Sequence, residues 1–320
     1  MKNRPESIAS ETSNEDAVQQ LSCIITYHPN LRELQDLILR VQNNQTIVLV
    51  IDNGRTIPPC FVSKACFRKV RFATMLSNVG IATALNFALE AAVHEGVKYL
   101  HTFDQDSLPD KNCARILREA LSTSVHRVAC GPKIIDARTS IQFKSIPEFK
   151  LFRQRKMLRN EQVMIVDHLI TSGTLFRVAS FKEIGSFNDG FFIDYVDIEW
   201  CLRARNLGYQ CVQIGSTYLQ QKIGSRCVRL LGRNLPIHEP ERGYFQVKNG
   251  ISLCINRNYR LPWRLNMLAN LLVKCLFVSV AGRKTLKRVY WQALGLRDAL
   301  RSCFRAQPVG VNNNDLPRYE

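Results

Sequence analysis

Eleven cysteines are present, yet there is no CxxC pair and no His/Cys cluster at metal-binding spacing. That absence excludes a structural zinc site, and an odd cysteine count with no disulfide pattern predicts free thiols in a reducing cytosol. Neither G-x-G-x-x-G nor GK[ST] occurs, so a dinucleotide fold and a P-loop are both unsupported. No internal repeat or low-complexity tract is found. The first twenty residues carry four acidic side chains and no apolar run. Without a signal-peptide core, export is not expected.

Acidic residues are scarce in one region only. The chain has 44 Lys+Arg against 27 Asp+Glu, a net charge of +17, and residues 222–305 hold 17 of those cations with three acids, Glu239, Glu241 and Asp298. This basic third is suited to anionic surfaces such as phospholipid head groups, polyprenyl phosphates or nucleic acid. Nucleic-acid binding would need aromatic residues interleaved with the cations or a reading helix. The stretch LNMLANLLVKCLFVSVAG (265–282) is long and apolar instead, which favours a membrane.

What remains is a 320-residue chain, 46% hydrophobic, with ample material for a core. LSCIITY (21–27) and TIVLVID (46–52) read as buried strands flanking the amphipathic helix 30–42. A helix over 81–96, a strand over 97–104, a helix over 112–123 and a strand over 128–134 follow. This succession predicts an α/β doubly wound sheet with its ligand at the carboxyl ends of the strands. Residues 136–162 read as a loop or flap, and regular structure resumes at 163–178. Four regions are expected: a disordered N-terminus (1–20), a catalytic domain (21–240), a C-terminal helical, membrane-associating region (241–305) and a polar tail (306–320).

Three segments carry chemistry. Asp104-Gln105-Asp106 follows the strand VKYLHTF. Two carboxylates there can share a hard divalent cation bridging to a diphosphate; the alternative is a strand-ending turn of solvated acids. Asp194, Asp197 and Glu199 crowd among Phe191, Phe192, Tyr195 and Trp200, a setting that raises a carboxyl pKa and makes a usable base. The alternative is a helix cap and first turn. Asn78-Val79-Gly80 opens a helix whose amides could approach an anion. Asp52-Asn53-Gly54 is a turn lying where a ribose or base could be held. Thr171-Ser172-Gly173 is either a turn or a loop offering donors to an acceptor.

In order, CIITYHPN (23–30), VIDNG (50–54), NVGIATALNFAL (78–89), DQD (104–106), ITSGTLF (170–176) and GFFIDYVDIEWCLRARNLGY (190–209) resemble the inverting, nucleotide-sugar-dependent GT-A glycosyltransferases. The likeness is greatest to bacterial rhamnosyltransferases that build O-antigen and other surface polysaccharides. It implies a GT-A mixed sheet with basic amphipathic C-terminal helices. Thr26, Asp52, Asn78, Gly80 and Asp104 would bind the donor; Asp104 and Asp106 would hold Mg2+ or Mn2+. Asp197 would be the catalytic base with Glu199 tuning it, and Thr171, Ser172, Gly173, Asp194 and Trp200 would meet the acceptor. The implied partners are a nucleotide sugar such as dTDP-L-rhamnose and a lipid-linked glycan. Galactofuranose or glucose donors are the alternatives. Apart from the resemblance, residues 262–305 read as attached peripherally to the cytoplasmic face of the membrane, with Asn266, Asn270 and Lys274 on one helical face and Leu268, Leu272, Leu276 and Val280 on another; helices packed on the domain and a true span are the alternatives. One departure stands out: where many members carry a His near the diphosphate, this chain has Gln221, followed by Lys222.

Overall fold

The computed structural model describes residues 18–67, 69–138, 142, 163–222, 226–230, 233–281 and 284–304. The expected disordered N-terminus, the flap over 136–162 and the tail 306–320 fall wholly or largely outside these residues.

Strands β1 (Gln20–Thr26) and β2 (Thr46–Asp52) are buried along almost their whole length. Their apolar runs do not alternate because helices cover both faces of a parallel sheet. Between them α1 (Leu31–Val41) starts where the Asn30 side chain accepts the amides of Arg32 and Glu33. It buries Leu34, Leu37, Ile38 and Val41, a one-sided helical spacing. After α2 (Pro59–Val62) come β3 (Val70–Thr74), α3 (Gly80–His94), β4 (Tyr99–Asp104), β5 (Ser107–Pro109), α4 (Cys113–Ser122) and β6 (Arg127–Asp136). The chain continues through β7 (Val163–Val166), β8 (Leu175–Arg177), a 3-10 turn (Val178–Ser180), α5 (Phe181–Ile184), α6 (Val196–Asn206) and β9 (Gln210–Gln221). A hairpin of β10 (Arg226–Leu230) and β11 (Arg233–Ile237) precedes α7 (Arg242–Ile255), α8 (Leu261–Ala281) and α9 (Thr285–Phe304).

The main sheet has the order β3-β2-β1-β4-β8-β6-β9-β5, with β7 on β9. It is mixed: β3, β2, β1 and β4 run parallel, and β8 lies antiparallel between β4 and β6. In the parallel half, Thr26 pairs with Asp52 and Ile25 with Asp104, so the carboxyl ends of β1, β2 and β4 lie side by side. β3, β5 and β9 went unread in the sequence; β9 mixes glutamines with apolar residues and shows no clean period.

The C-terminal helices pack on the α/β unit. Gly250 of α7 meets Leu271 of α8 and the ring of Tyr195, and Ser279 of α8 donates to Gln292 of α9. Among the described residues, Leu261–Val280 is long and apolar enough to cross a membrane. Its exposed stripe is Leu261, Leu265, Leu272, Leu276 and Val280. Leu272, Leu276 and Val280 share an exposed face as expected, and Leu268 is half-buried. On α9, Leu286, Val289, Tyr290, Leu296 and Leu300 are also exposed. Lys274 was expected on a polar face with Asn266 and Asn270. It turns inward towards Asp194 and Arg242, and burial lowers its pKa.

Candidate active site

The DxD turn is tied down from three sides. Gln105 accepts the Tyr27 amide at 2.6 Å and donates to the Tyr27 carbonyl at 3.2 Å, locking the turn to the end of β1. Asp104 donates its backbone amide to Ser172 Oγ at 3.0 Å, and Ser172 is 2.5 Å from Ser107 Oγ. Gln221, brought over by β9, donates Nε2 to Asp104 Oδ2 at 2.6 Å. Both carboxyls of the motif are pushed up: Asp104 by burial, with Asp197 adding to the effect, and Asp106 to about 6 by burial and then by the charge of Asp104. Two raised acids side by side are short of positive charge.

Asp197 stands in the first turn of α6 and faces the same group. Burial raises its carboxyl to about 6, against hydrogen bonds from the Ile198 and Thr171 amides that favour the ionised form. The Ile198 bond is 2.8 Å. Residues 194 and 195 both adopt left-handed backbone, at φ 65° and 66°. Arg242 of α7 grips Asp194 with two bonds of 2.9 and 3.0 Å, and Asn249 Nδ2 donates to the carbonyls of Ile193 and Asp194. The positive charge of Arg242 also reaches Asp104, where it favours ionisation. Sequence reasoning missed Arg242, because nothing local separates it from the other cations of the basic third.

Several expected site residues are committed elsewhere. Trp200 is 0% exposed, packs against Phe176, Phe181 and Phe187, and donates Nε1 to the Gly185 carbonyl at 3.0 Å. It is core and does not face an acceptor. Glu199 is paired through both oxygens with Arg203, at 2.7 and 2.9 Å, and Arg203 in turn donates to the carbonyls of Ile184 and Ser186. Two residues past Asp197 on a helix, it points away from that carboxyl and staples α6 to α5. Asp194 has both oxygens on Arg242, and Ser172 is spent on the DxD backbone, so neither is free for an acceptor hydroxyl. Gly173, at φ 78°, donates to the Thr102 carbonyl at 2.7 Å and shapes a turn. Thr171 contributes its amide to Asp197 and its carbonyl to Thr102.

The donor side changes likewise. Thr26 is fully buried and donates Oγ1 to the Ile51 carbonyl at 3.2 Å. Asp52 accepts the amides of Gly54, Thr56 and Ile57 at 3.1, 2.8 and 2.8 Å, which shapes the loop after β2. The amides opening α3 are taken: Val79 by Asn53, Gly80 by the Asn78 side chain, and Ile81 by the Phe192 carbonyl. An anion therefore has no open helix start to bind there. Gly80, at φ 83°, is required, because a Cβ would lie 2.5 Å from the Phe192 oxygen.

A divalent cation fits this donor set. Among the described residues no group of three His, Cys, Asp or Glu converges for a metal. Two carboxylates with water and substrate phosphate suffice for Mg2+ or Mn2+. The fit is carried by the two under-neutralised acids and by Gln221 Oε1, a buried atom without a hydrogen-bond partner among the described residues.

Comparison with known proteins agrees with this fold. S. aureus TarS 1-349 in complex with UDP-GlcNAc superimposes with a TM-score of 0.58 at 14% identity, covering 89% of this chain and 81% of that one. The mannosyltransferase PcManGT from Pyrobaculum calidifontis, in complex with GDP-Man and Mn2+, gives 0.54 at 13%, covering 92% and 77%. At such identities the likeness fixes the GT-A fold alone. In sequence, the dTDP-rhamnosyl transferase RfbF of Shigella flexneri is 31% identical over 238 residues, 74% of this chain and 79% of that protein. Residues 22–185 match the family described as Glycosyl transferase family 2. Fold likeness, family match and sequence kinship agree: the chain belongs to glycosyl transferase family 2, as a rhamnosyltransferase-like member.

Proposed function

We propose that this enzyme transfers L-rhamnose from dTDP-L-rhamnose, with inversion, to a hydroxyl of a lipid-linked glycan in surface-polysaccharide, O-antigen-like biosynthesis. The observation that carries the mechanism is Asp197, a carboxyl raised to about 6 whose charge is felt at Asp104 of the DxD turn. A base with a pKa near working pH combines a high ionised fraction with useful proton affinity. As the acceptor oxygen attacks the anomeric carbon, Asp197 takes its proton. Attack opposite the leaving diphosphate inverts the centre, which gains oxocarbenium character on the way. Asp104 and Asp106 would hold Mg2+ or Mn2+, which supplies positive charge to the diphosphate. Arg242 keeps the Asp194–Asp197 segment in register.

The donor assignment is supported by identity to a dTDP-rhamnosyl transferase. Its test is a panel of dTDP-L-rhamnose, UDP-galactofuranose and UDP-glucose, following nucleotide release. Faster turnover with either UDP sugar overturns it.

The acceptor class is supported by the exposed stripes of α8 and α9, whose large apolar residues are 42–87% exposed. They lie within the most basic third of the chain, so a second copy would meet like charge while anionic lipid meets opposite charge. With Lys274 turned towards Asp194 and α8 packed on α7, the reading is a helix lying on the cytoplasmic membrane surface. Flotation with phosphatidylglycerol vesicles, lost in high salt and absent with phosphatidylcholine, is expected. Protein that floats with neither vesicle type refutes it.

A further inference from the structure

Gln221 ends β9 and pairs with Ser107 of β5, which sets it beside the DxD turn although it lies 117 residues from Asp104 in sequence. It is 8% exposed. Its Nε2 donates to Asp104 Oδ2 at 2.6 Å, while Oε1 is buried with no partner among the described residues. With Oε1 unpartnered among these residues, the orientation of this amide is set by the Nε2 contact to Asp104 alone.

An amide can exchange its oxygen and nitrogen by a half-turn of its terminal bond. Facing a bare carboxylate, only Nε2 is acceptable. With a cation alongside Asp104, the carbonyl becomes the favoured end. Two neighbouring oxygens on an octahedral ion at ~2.1 Å stand ~3.0 Å apart. The 2.6 Å separation of the Gln221 terminus from Asp104 Oδ2 is within a few tenths of an ångström of that spacing. Amide carbonyls are hard oxygen donors of the kind Mg2+ and Mn2+ accept.

We propose that Gln221 is a third protein ligand of the cation, presenting its side-chain carbonyl oxygen beside the carboxylates of Asp104 and Asp106. This rests on the cation reading above and adds a neutral ligand to it. Two carboxylates and one amide leave the divalent ion with no net negative charge. A third carboxylate would make the site anionic and repel a diphosphate.

The test is Mn2+ binding to the purified full chain without nucleotide, read from the electron paramagnetic resonance signal of free aqueous Mn2+. Gln221→Ala is expected to weaken binding ~10-fold or more, a loss typical of disturbed metal sites. Gln221→Glu is expected to bind Mn2+ at least as tightly as the wild type, yet to bind dTDP more weakly in the presence of Mn2+. Gln221→His is expected to shift preference from Mn2+ towards Co2+, because imidazole suits the later metals. Circular dichroism checks each variant, and the Glu and His forms carry the test if the Ala form does not fold. Mn2+ affinity of Gln221→Ala within twofold of the wild type, with binding abolished in Asp106→Ala, overturns the assignment of Gln221 alone. Wild type binding Mn2+ no better than Asp106→Ala instead overturns the cation reading beneath it.

Discussion

Replacing Asp197 by Asn should make the enzyme more stable and nearly inactive. The folded carboxyl sits at about 6 against an ordinary 3.8, chiefly because burial disfavours its charge. At 1.36 kcal/mol per tenfold change in proton affinity, that difference corresponds to ~3 kcal/mol. The side chain is partly open to solvent, and screening there brings the expected gain to ~1–2 kcal/mol. The sign follows from linkage: the folded state holds a proton that the unfolded chain releases, so folding is penalised as pH rises through the folded pKa. The penalty is small below pH ~4 and complete above pH ~6. Asn keeps the shape without the charge. Urea unfolding at pH 7.5 should show Asp197→Asn the more stable, with a melting point roughly 2–6 °C higher, and the two proteins should converge near pH 4. Its kcat should fall ~10²–10⁴-fold. A variant less stable than the wild type at pH 7.5, or one keeping more than about a tenth of kcat, would show that Asp197 is only a first-turn residue favoured by the helix dipole.

Four further outcomes are expected. The acid limb of kcat/KM should bend near pH 6, with activity lost below it as Asp197 takes up a proton; a bend near pH 4 would mean an unperturbed base. Asp106→Ala should lose turnover and its response to Mg2+ or Mn2+ together, and full wild-type activity in excess chelator would refute the cation. Glu199→Gln should lower stability by about 1–3 kcal/mol through the Arg203 pair while leaving kcat within about twofold; a tenfold loss of kcat in folded protein would restore Glu199 to the reaction. Gly80→Ala, with its Cβ driven against Phe192, should destabilise by about 2–5 kcal/mol, measured by denaturant titration, and an unchanged midpoint would contradict the packing.

Three of the four parallel strands, β1, β2 and β4, were legible because buried strands leave unbroken apolar runs, whereas the half-exposed edge strand β3 was not; DxD was legible because it sits where one such run stops. The site's composition was harder to read. Asp52, Ser172 and Asp194 are residue types suited to ligands, but the same oxygens serve backbone amides or an arginine equally well, and the sequence does not say which way a side chain turns. Trp200 was assigned to the acceptor by resemblance, yet its ring is wholly taken up by packing against Phe176, Phe181 and Phe187, a contact that only the folded chain reveals. Gln221 and Arg242 reach the site only through long-range pairing, on β9 and α7, which leaves no local pattern.

The left-handed pair Asp194–Tyr195 has a consequence for how this enzyme can be recombined. Two consecutive non-glycine residues in that conformation are strained by ~1–2 kcal/mol each. They stay so because Arg242 and Asn249, both beyond residue 240, hold them in place. A boundary drawn at 240 therefore cuts between the loop that leads into Asp197 and its clamp. A chimera that grafts another transferase's C-terminal helices onto residues 1–240 to change acceptor or lipid preference would release the loop ahead of Asp197. It should lose catalysis for a reason unrelated to the acceptor, and transplants that retain Arg242 and Asn249 should keep it.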